Sequence, residues 1–229
     1  MLHEYGVIVA KGLASLQKKL PEILADETNQ ELTPMNKELF SDAYEELCEL
    51  NKRIDKYTQK IELLSKADER CKNLLTVPGI GPITATAMVA SVGDPHVFNK
   101  GREMSAYFGL VPKHVASGHT TRTLGISKRG DRYLRSLLIH GARSVVKMAH
   151  KKTDARSLWI QQLVGRCGMN KAVVAVANKN ARIAWAVMTG NTTYLAKEPA
   201  DMPLKLLVNK EHSENNMAAT HQAQSHEGG

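Results

Sequence analysis

The chain has 229 residues, 42% of them hydrophobic but only 5% aromatic, and a formal net charge of +8. That is enough apolar material for at least one packed core, and the shortage of aromatics favours aliphatic, alanine-rich helices over a β-sandwich. Apolar runs such as Ala172–Ala177 fall far short of a bilayer span, Met1-Leu2-His3-Glu4 does not open a secretory signal, and Cys48, Cys71 and Cys167 encode neither a disulfide frame nor a zinc site, so a cytoplasmic protein without membrane contact is expected.

Residues 1–34 carry a Tyr5–Val9 apolar patch, a short amphipathic stretch over Leu13–Leu24 and an acidic loop to Pro34. A long helix is predicted from Pro34 to Lys66. Its apolar residues fall on heptads, with Phe40, Leu47, Ile54 and Ile61 at one position and Ala43, Leu50, Tyr57 and Leu64 at the other. Such a repeat reads as a coiled-coil seam, or as a long helix packed within its own chain. Short helices over Ala67–Thr76 and Pro82–Ser91 flank a glycine turn. Asp94-Pro95 breaks the chain before a helix near Arg102–Phe108, and Gly109–Gly130 reads as loop. A helix over Asp131–Lys152 turns Leu134, Leu137, Leu138, Gly141, Val145 and Met148 inward. Asp154–Gly168 and Lys171–Met188 make two more, with Gly168 and Gly190 as left-handed stops. Beyond Lys197 apolar density collapses, and His212–Gly229 is a polar tail expected to be disordered.

Positive charge is segregated. Residues 99–156 hold 13 Lys and Arg against 3 Asp and Glu, whereas the remainder is slightly acidic. Such a block points to a polyanion, with nucleic acid the first reading. On the helix beginning at Asp131, Arg132, Arg135, Arg143, Lys147 and Lys151 share one side, opposite the leucines. Acidic neighbours are too few to pair with them, so phosphate binding is favoured over a self-paired solvent face. Upstream, Val77-Pro78-Gly79-Ile80-Gly81-Pro82 is a turn in which glycines allow close backbone approach and Pro82 suits a first helical turn. Its amides could face a phosphate, with Gly79 and Gly81 gripping and Ile80 plugging between helices, as in the helix–hairpin–helix of DNA repair proteins. A tight turn with no ligand remains the alternative.

In the predicted loop, Ser117 precedes Gly118 amid Lys113, His114, His119 and Arg122. A hydroxyl there could attack a phosphodiester while cations neutralise the developing charge. Ser-Gly is equally a common turn pair.

Taken together and in order, Pro78-Gly79-Ile80-Gly81, Gly109-Leu110-Val111-Pro112, Ser117-Gly118, and Ile126-Ser127-Lys128-Arg129-Gly130 with Tyr133-Leu134-Arg135 resemble the C-terminal transposase domain of a bacterial insertion-sequence family. The heptad helix and Asn178-Lys179-Asn180-Ala181-Arg182-Ile183-Ala184-Trp185 extend the resemblance over most of residues 1–190. Members of that family join an N-terminal RuvC-like DEDD domain, a coiled coil and a serine-bearing domain, and some use a bridge RNA as guide. The resemblance implies that Ser117 is the catalytic serine, forming a covalent link to DNA, with Ser127 a cap and Ser105 a packing residue. Lys113, Arg122, Lys128, Arg129 and Arg135 would hold phosphates near it.

The DEDD acidic set, which binds divalent metal in the family, belongs upstream of Tyr5-Gly6-Val7-Ile8-Val9; Asp26, Asp42 and Asp55 are not enlisted in its place. The expectation is therefore a C-terminal portion with no metal site of its own, Mg being required only with the DEDD domain. The whole reading is an all-α, mainly helical chain: residues 1–33 a linker remnant, 34–66 a coiled coil, 67–98 the helix–hairpin–helix, 99–196 the serine transposase domain and 197–229 the tail. Its implied partners are DNA, a guide RNA and a second copy of the chain, in the bacterial nucleoid. The rivals are a non-catalytic DNA-binding fragment that inhibits the full-length transposase, and an RNA-binding protein using the same patch.

Overall fold

A computed structural model describes residues 2–26, 32–117 and 120–195, giving backbone alone for 114–123. The polar tail read from the sequence lies outside the described residues. Eight α-helices and one two-stranded sheet stand among those described, so the mainly helical expectation holds.

The chain divides into two units, Met1–Glu62 and Leu63–Gly229. In the first, α1 (Leu13–Ala25) lies antiparallel to the start of α2 (Pro34–Ala67): the Tyr44 hydroxyl donates to the Gln17 carbonyl, and Lys37 Nζ to the Asp26 carbonyl. Val7, Leu20, Leu32 and Phe40 are buried between them, and Tyr5 meets Phe40 edge-to-face at 6.1 Å. The heptad seam departs from uniform burial. Phe40 is covered, but Leu50, Ile54, Tyr57 and Leu64 stay exposed.

The second unit is built around α8 (Met169–Gly190). Its Ala172, Val173, Val176, Ala177, Ala181, Ala184, Val187 and Met188 are buried at helical spacing, and small side chains let neighbouring helices approach closely. It packs against α3 (Glu69–Leu75), α5 (Gly101–Tyr107), α6 (Arg132–Met148) and α7 (Ala155–Cys167), while α4 (Pro82–Val92) closes on α3 and α6. Asp68, Asp131 and Asp154 cap α3, α6 and α7 by accepting from the amides of Arg70, Leu134 and Ser157. On α6, Leu134, Leu138, Ala142 and Val146 form the buried stripe.

Three expectations need correction. Gly109–Gly130 is not all loop: Pro112–Ser117 (β1) and Thr120–Ile126 (β2) pair as an antiparallel hairpin, in which Thr and Val supply the strand character masked by the segment's glycines. Residue Ser127 is not the cap of α6; Asp131 is, and the Ser127 amide instead donates to the Val111 carbonyl. Gly190 ends α8 as a helical residue, and Asn191 beyond it takes the left-handed conformation, whereas Gly168 does follow α7 with positive φ. Ser105 is fully buried within α5, as a packing residue should be.

Candidate nucleic-acid interface

The glycine turn between α3 and α4 is held from within. The Ile80 amide donates to the Val77 carbonyl at 3.0 Å, and both side chains are buried. Gly79 has φ +91, and a Cβ there would stand 2.9 Å from both the Gly141 carbonyl oxygen and Val145 Cγ2. From the other side, a Cβ on Gly141 would lie 1.8 Å from the Gly79 carbonyl oxygen. Backbone therefore meets backbone between the turn and the middle of α6, an approach open only to glycine. Asn180, wholly buried on α8, donates Nδ2 to the Pro78 carbonyl and accepts from Arg156 Nη2 on α7.

Gly81 faces the other way. It is exposed, caps α4 without a side-chain hydrogen bond, and has open space where a Cβ would project. Because Pro82 has no amide, the turn's outward donors are those of Gly81 and the residues after Pro82 that precede the first intrahelical bond. Of the two predicted gripping residues, Gly79 is packed against α6 and Gly81 is at the outer edge of the turn, while Ile80 is buried, as expected of the plug.

Helix α6 carries the cations. Arg132, Arg143 and Lys147 are exposed, and Lys151 follows on the short 3-10 turn Ala149–Lys151. Arg135 is half-buried, its Nη1 donating to the Phe108 carbonyl at 3.1 Å, so this guanidinium braces the segment before β1. Ion pairs join Lys19 to Glu22, Arg70 to Asp68 and Lys72 to Glu69; among the described residues none involves an α6 cation. The face between Arg132 and Lys147 runs about 22 Å along the axis.

The serine hairpin is rooted at the start of this helix. Pro112 pairs with Ile126 and Ser117 with Thr120, with an irregularity between Pro112 and His114. Lys128, at φ +55, donates its amide to the Gly109 carbonyl, and a Cβ on Gly130 (φ +102) would lie 1.8 Å from the Tyr107 carbonyl oxygen. These contacts fix the base, leaving Lys113, Lys128 and Arg129 exposed around it. Ser117 closes β1 at the end farthest from that base. The side chains of Ser117, His114 and Arg122, and residues Gly118 and His119, lie outside what the structure describes.

Two acidic caps are tuned by partners. The hydrogen-bonded Arg70 guanidinium holds the Asp68 carboxyl below the usual range. Burial pushes Asp154 upward, but hydrogen bonds from the Ser157 hydroxyl and amide outweigh it, and its carboxyl also sits low. Among the described residues, no three His, Cys, Asp or Glu side chains gather to hold a metal ion, and no helix is long and apolar enough to cross a membrane.

These features compose a helical domain with a surface suited to polyanions, the general class to which many nucleic-acid-processing modules belong. Residues 71–158 match the transposase IS116/IS110/IS902 family. The chain is similar to the transposase for insertion sequence element IS1111A of Coxiella burnetii, at 45% identity over 194 residues, or 85% of this chain and 53% of that protein. A probable family 20 transposase of Pseudomonas aeruginosa is 45% identical over 195 residues, 85% of this chain and 57% of its own. A putative transposase of Sinorhizobium fredii is 35% identical over 196 residues, 85% of this chain and 50% of its own. The chain thus spans about half the length of the curated relatives it matches.

Proposed function

We propose that this chain is the C-terminal part of an insertion-sequence transposase, binding DNA and supplying Ser117 as the nucleophile for strand cleavage and transfer. One observation supports the reading: the segment matching the transposase family contains both the hairpin strand that ends at Ser117 and α6, whose exposed Arg132, Arg143 and Lys147 have no ion-pair partner among the described residues. Gly81 and the following amides, in a helix–hairpin–helix, take a flanking phosphate at the positive end of α4. Arg132, Arg143 and Lys147 hold the backbone of the duplex, and Lys113, Arg122, Lys128 and Arg129 neutralise charge near the reacting phosphodiester. The Ser117 oxygen bonds to phosphorus as the bond from phosphorus to one deoxyribose oxygen breaks, and the serine proton passes through water to that leaving oxygen, which becomes the hydroxyl of a free strand end.

The uncovered heptad residues Leu50, Ile54, Tyr57 and Leu64 support pairing of α2 with a second copy, which would bring two DNA ends together. A guide RNA would share the same cationic face. A divalent metal would be held by the acidic set of a DEDD domain, supplied by another segment. The test is Ser117→Ala, assayed for covalent protein–DNA adducts with DEDD-domain chains present. Loss of adducts with duplex binding retained is expected; adducts that persist would remove Ser117 from the chemistry.

A further inference from the structure

On α5, α7 and α8, away from the cations of α6, both tryptophans of the chain line one groove of about 830 Å³, within the range of ligand sites. The groove is assembled by a close approach. A Cβ on Gly101, the first residue of α5, would stand 3.0 Å from the Arg182 carbonyl oxygen and 3.2 Å from the Trp185 ring. The start of α5 can therefore abut α8, setting Lys100 and Arg102 opposite Lys179 and Arg182. Its lining contains no Asp or Glu. Trp185 is fixed by Nε1, which donates to the Pro95 and Phe98 carbonyls, so its one polar atom is already satisfied within the chain. Half-buried Trp159 carries the Lys179 ammonium 4.0 Å from its ring centroid. The walls thus offer indole carbon surface and the rim offers cations.

We infer that this groove is a second nucleic-acid site, taking an unpaired stretch of DNA whose base displaces the Lys179 ammonium from the Trp159 ring, with its phosphates on Lys100, Arg102 and Arg182. The chemistry excludes other occupants in turn. An acidic peptide would use the cations but has no flat π-system for the tryptophans. Duplex DNA would use the cations too, but its bases are stacked inside the helix and cannot reach an indole. An unpaired strand satisfies both, since stacking on aromatics and phosphate tracking by Lys and Arg are how single strands are bound without sequence preference. The choice of DNA rests on the proposed strand-cleaving function, which generates such ends. Separation of the two surfaces lets the α6 face hold duplex while the groove retains the strand leaving it.

The experiment titrates the full chain with fluorescent oligothymidine, oligouridine and duplex DNA, reading anisotropy at several salt concentrations together with tryptophan emission. Oligothymidine should quench the tryptophans. Trp159→Leu should weaken its binding roughly tenfold, the range for losing one base–aromatic stack, and Trp159→Phe should restore most of it. Lys100→Glu with Arg182→Glu should weaken single-strand binding and flatten its salt slope, leaving duplex affinity within about twofold. Arg143→Glu with Lys147→Glu should do the reverse, and if duplex affinity survives those changes the α6 interface fails while the groove is judged separately. Unchanged oligothymidine affinity in Trp159→Leu, absence of quenching, or preference for oligouridine would overturn the assignment. Circular dichroism confirms that each variant compared is folded.

Discussion

The glycine turn and the serine hairpin are both short connections flanked by glycines, yet their surroundings differ sharply. The turn is driven into the helices: Gly79 touches Gly141 backbone to backbone, and Asn180 holds the Pro78 carbonyl. The hairpin's described anchors lie at its base, where the Lys128 amide donates to the Gly109 carbonyl and Gly130 abuts Tyr107. Between its Leu124 and Ile126 and the Ile139 and Val174 of α6 and α8 lies a cavity of about 960 Å³. The clamped turn presents fixed backbone donors, and the proposed function gives the two regions different tasks, holding DNA and reacting with it.

The sharpest way to break that contrast is one substitution made at two glycines. Gly141→Ala forces a methyl to 1.8 Å from the Gly79 carbonyl oxygen and should cost about 3 kcal/mol in denaturant unfolding. Gly125→Ala on β2, with nothing within 4 Å of the added carbon, should stay within about 0.5 kcal/mol. Equal losses would erase the distinction between the packed glycine at 141 and the open one at 125.

Asn180→Leu comes next. It keeps the bulk but leaves the Pro78 carbonyl and the Arg156 guanidinium without their partner, at an expected cost of about 2 kcal/mol. Measured by the same unfolding curves, a neutral result would mean that the turn is held by glycine packing alone.

A smaller effect separates α7 from the rest. Because the Asp154 carboxyl sits below its unfolded value near 3.9, the cap contributes fully above that pH and is lost as pH falls through the lower folded value. Asp154→Asn should therefore flatten the decline in melting temperature below about pH 4, and change stability at neutral pH by under about 1 kcal/mol, given solvent screening. The same decline in both proteins would show that the cap's charge is idle. Hydrogen exchange refines the contrast at least cost in perturbation: β1 and β2 amides should exchange ahead of those in the middle of α8. Equal protection would mean that the hairpin is held as firmly as the core.

Much of the architecture was legible because periodicity and caps are local signals. The spacing of Leu134 and Leu138 announces α6, although Met148, expected to face inward, is exposed and Ala142 and Val146 complete the buried stripe; Asp131 and Asp154 announce helix starts by type. The hairpin was missed because Gly, Ser and Thr over 117–125 outweigh the short alternation of strand residues. At Arg135 the sequence shows a charge on the basic side of a helix but not that its Nη1 is engaged by Phe108. Nothing local in the sequence groups Lys100 and Arg102 with Lys179 and Arg182, which lie some eighty residues apart until the contact of Gly101 with α8 brings them to one groove.

By itself the sequence determined the helical character, the segregation of positive charge and the motif order shared with insertion-sequence transposases, all properties of neighbouring residues and their spacing. Tertiary structure decided which glycines are packing surfaces and which edge of the turn is open, which arginine is turned inward, and where the tryptophans meet cations. Those outcomes depend on distances between segments remote in the chain, which only the packing of the helices against one another sets.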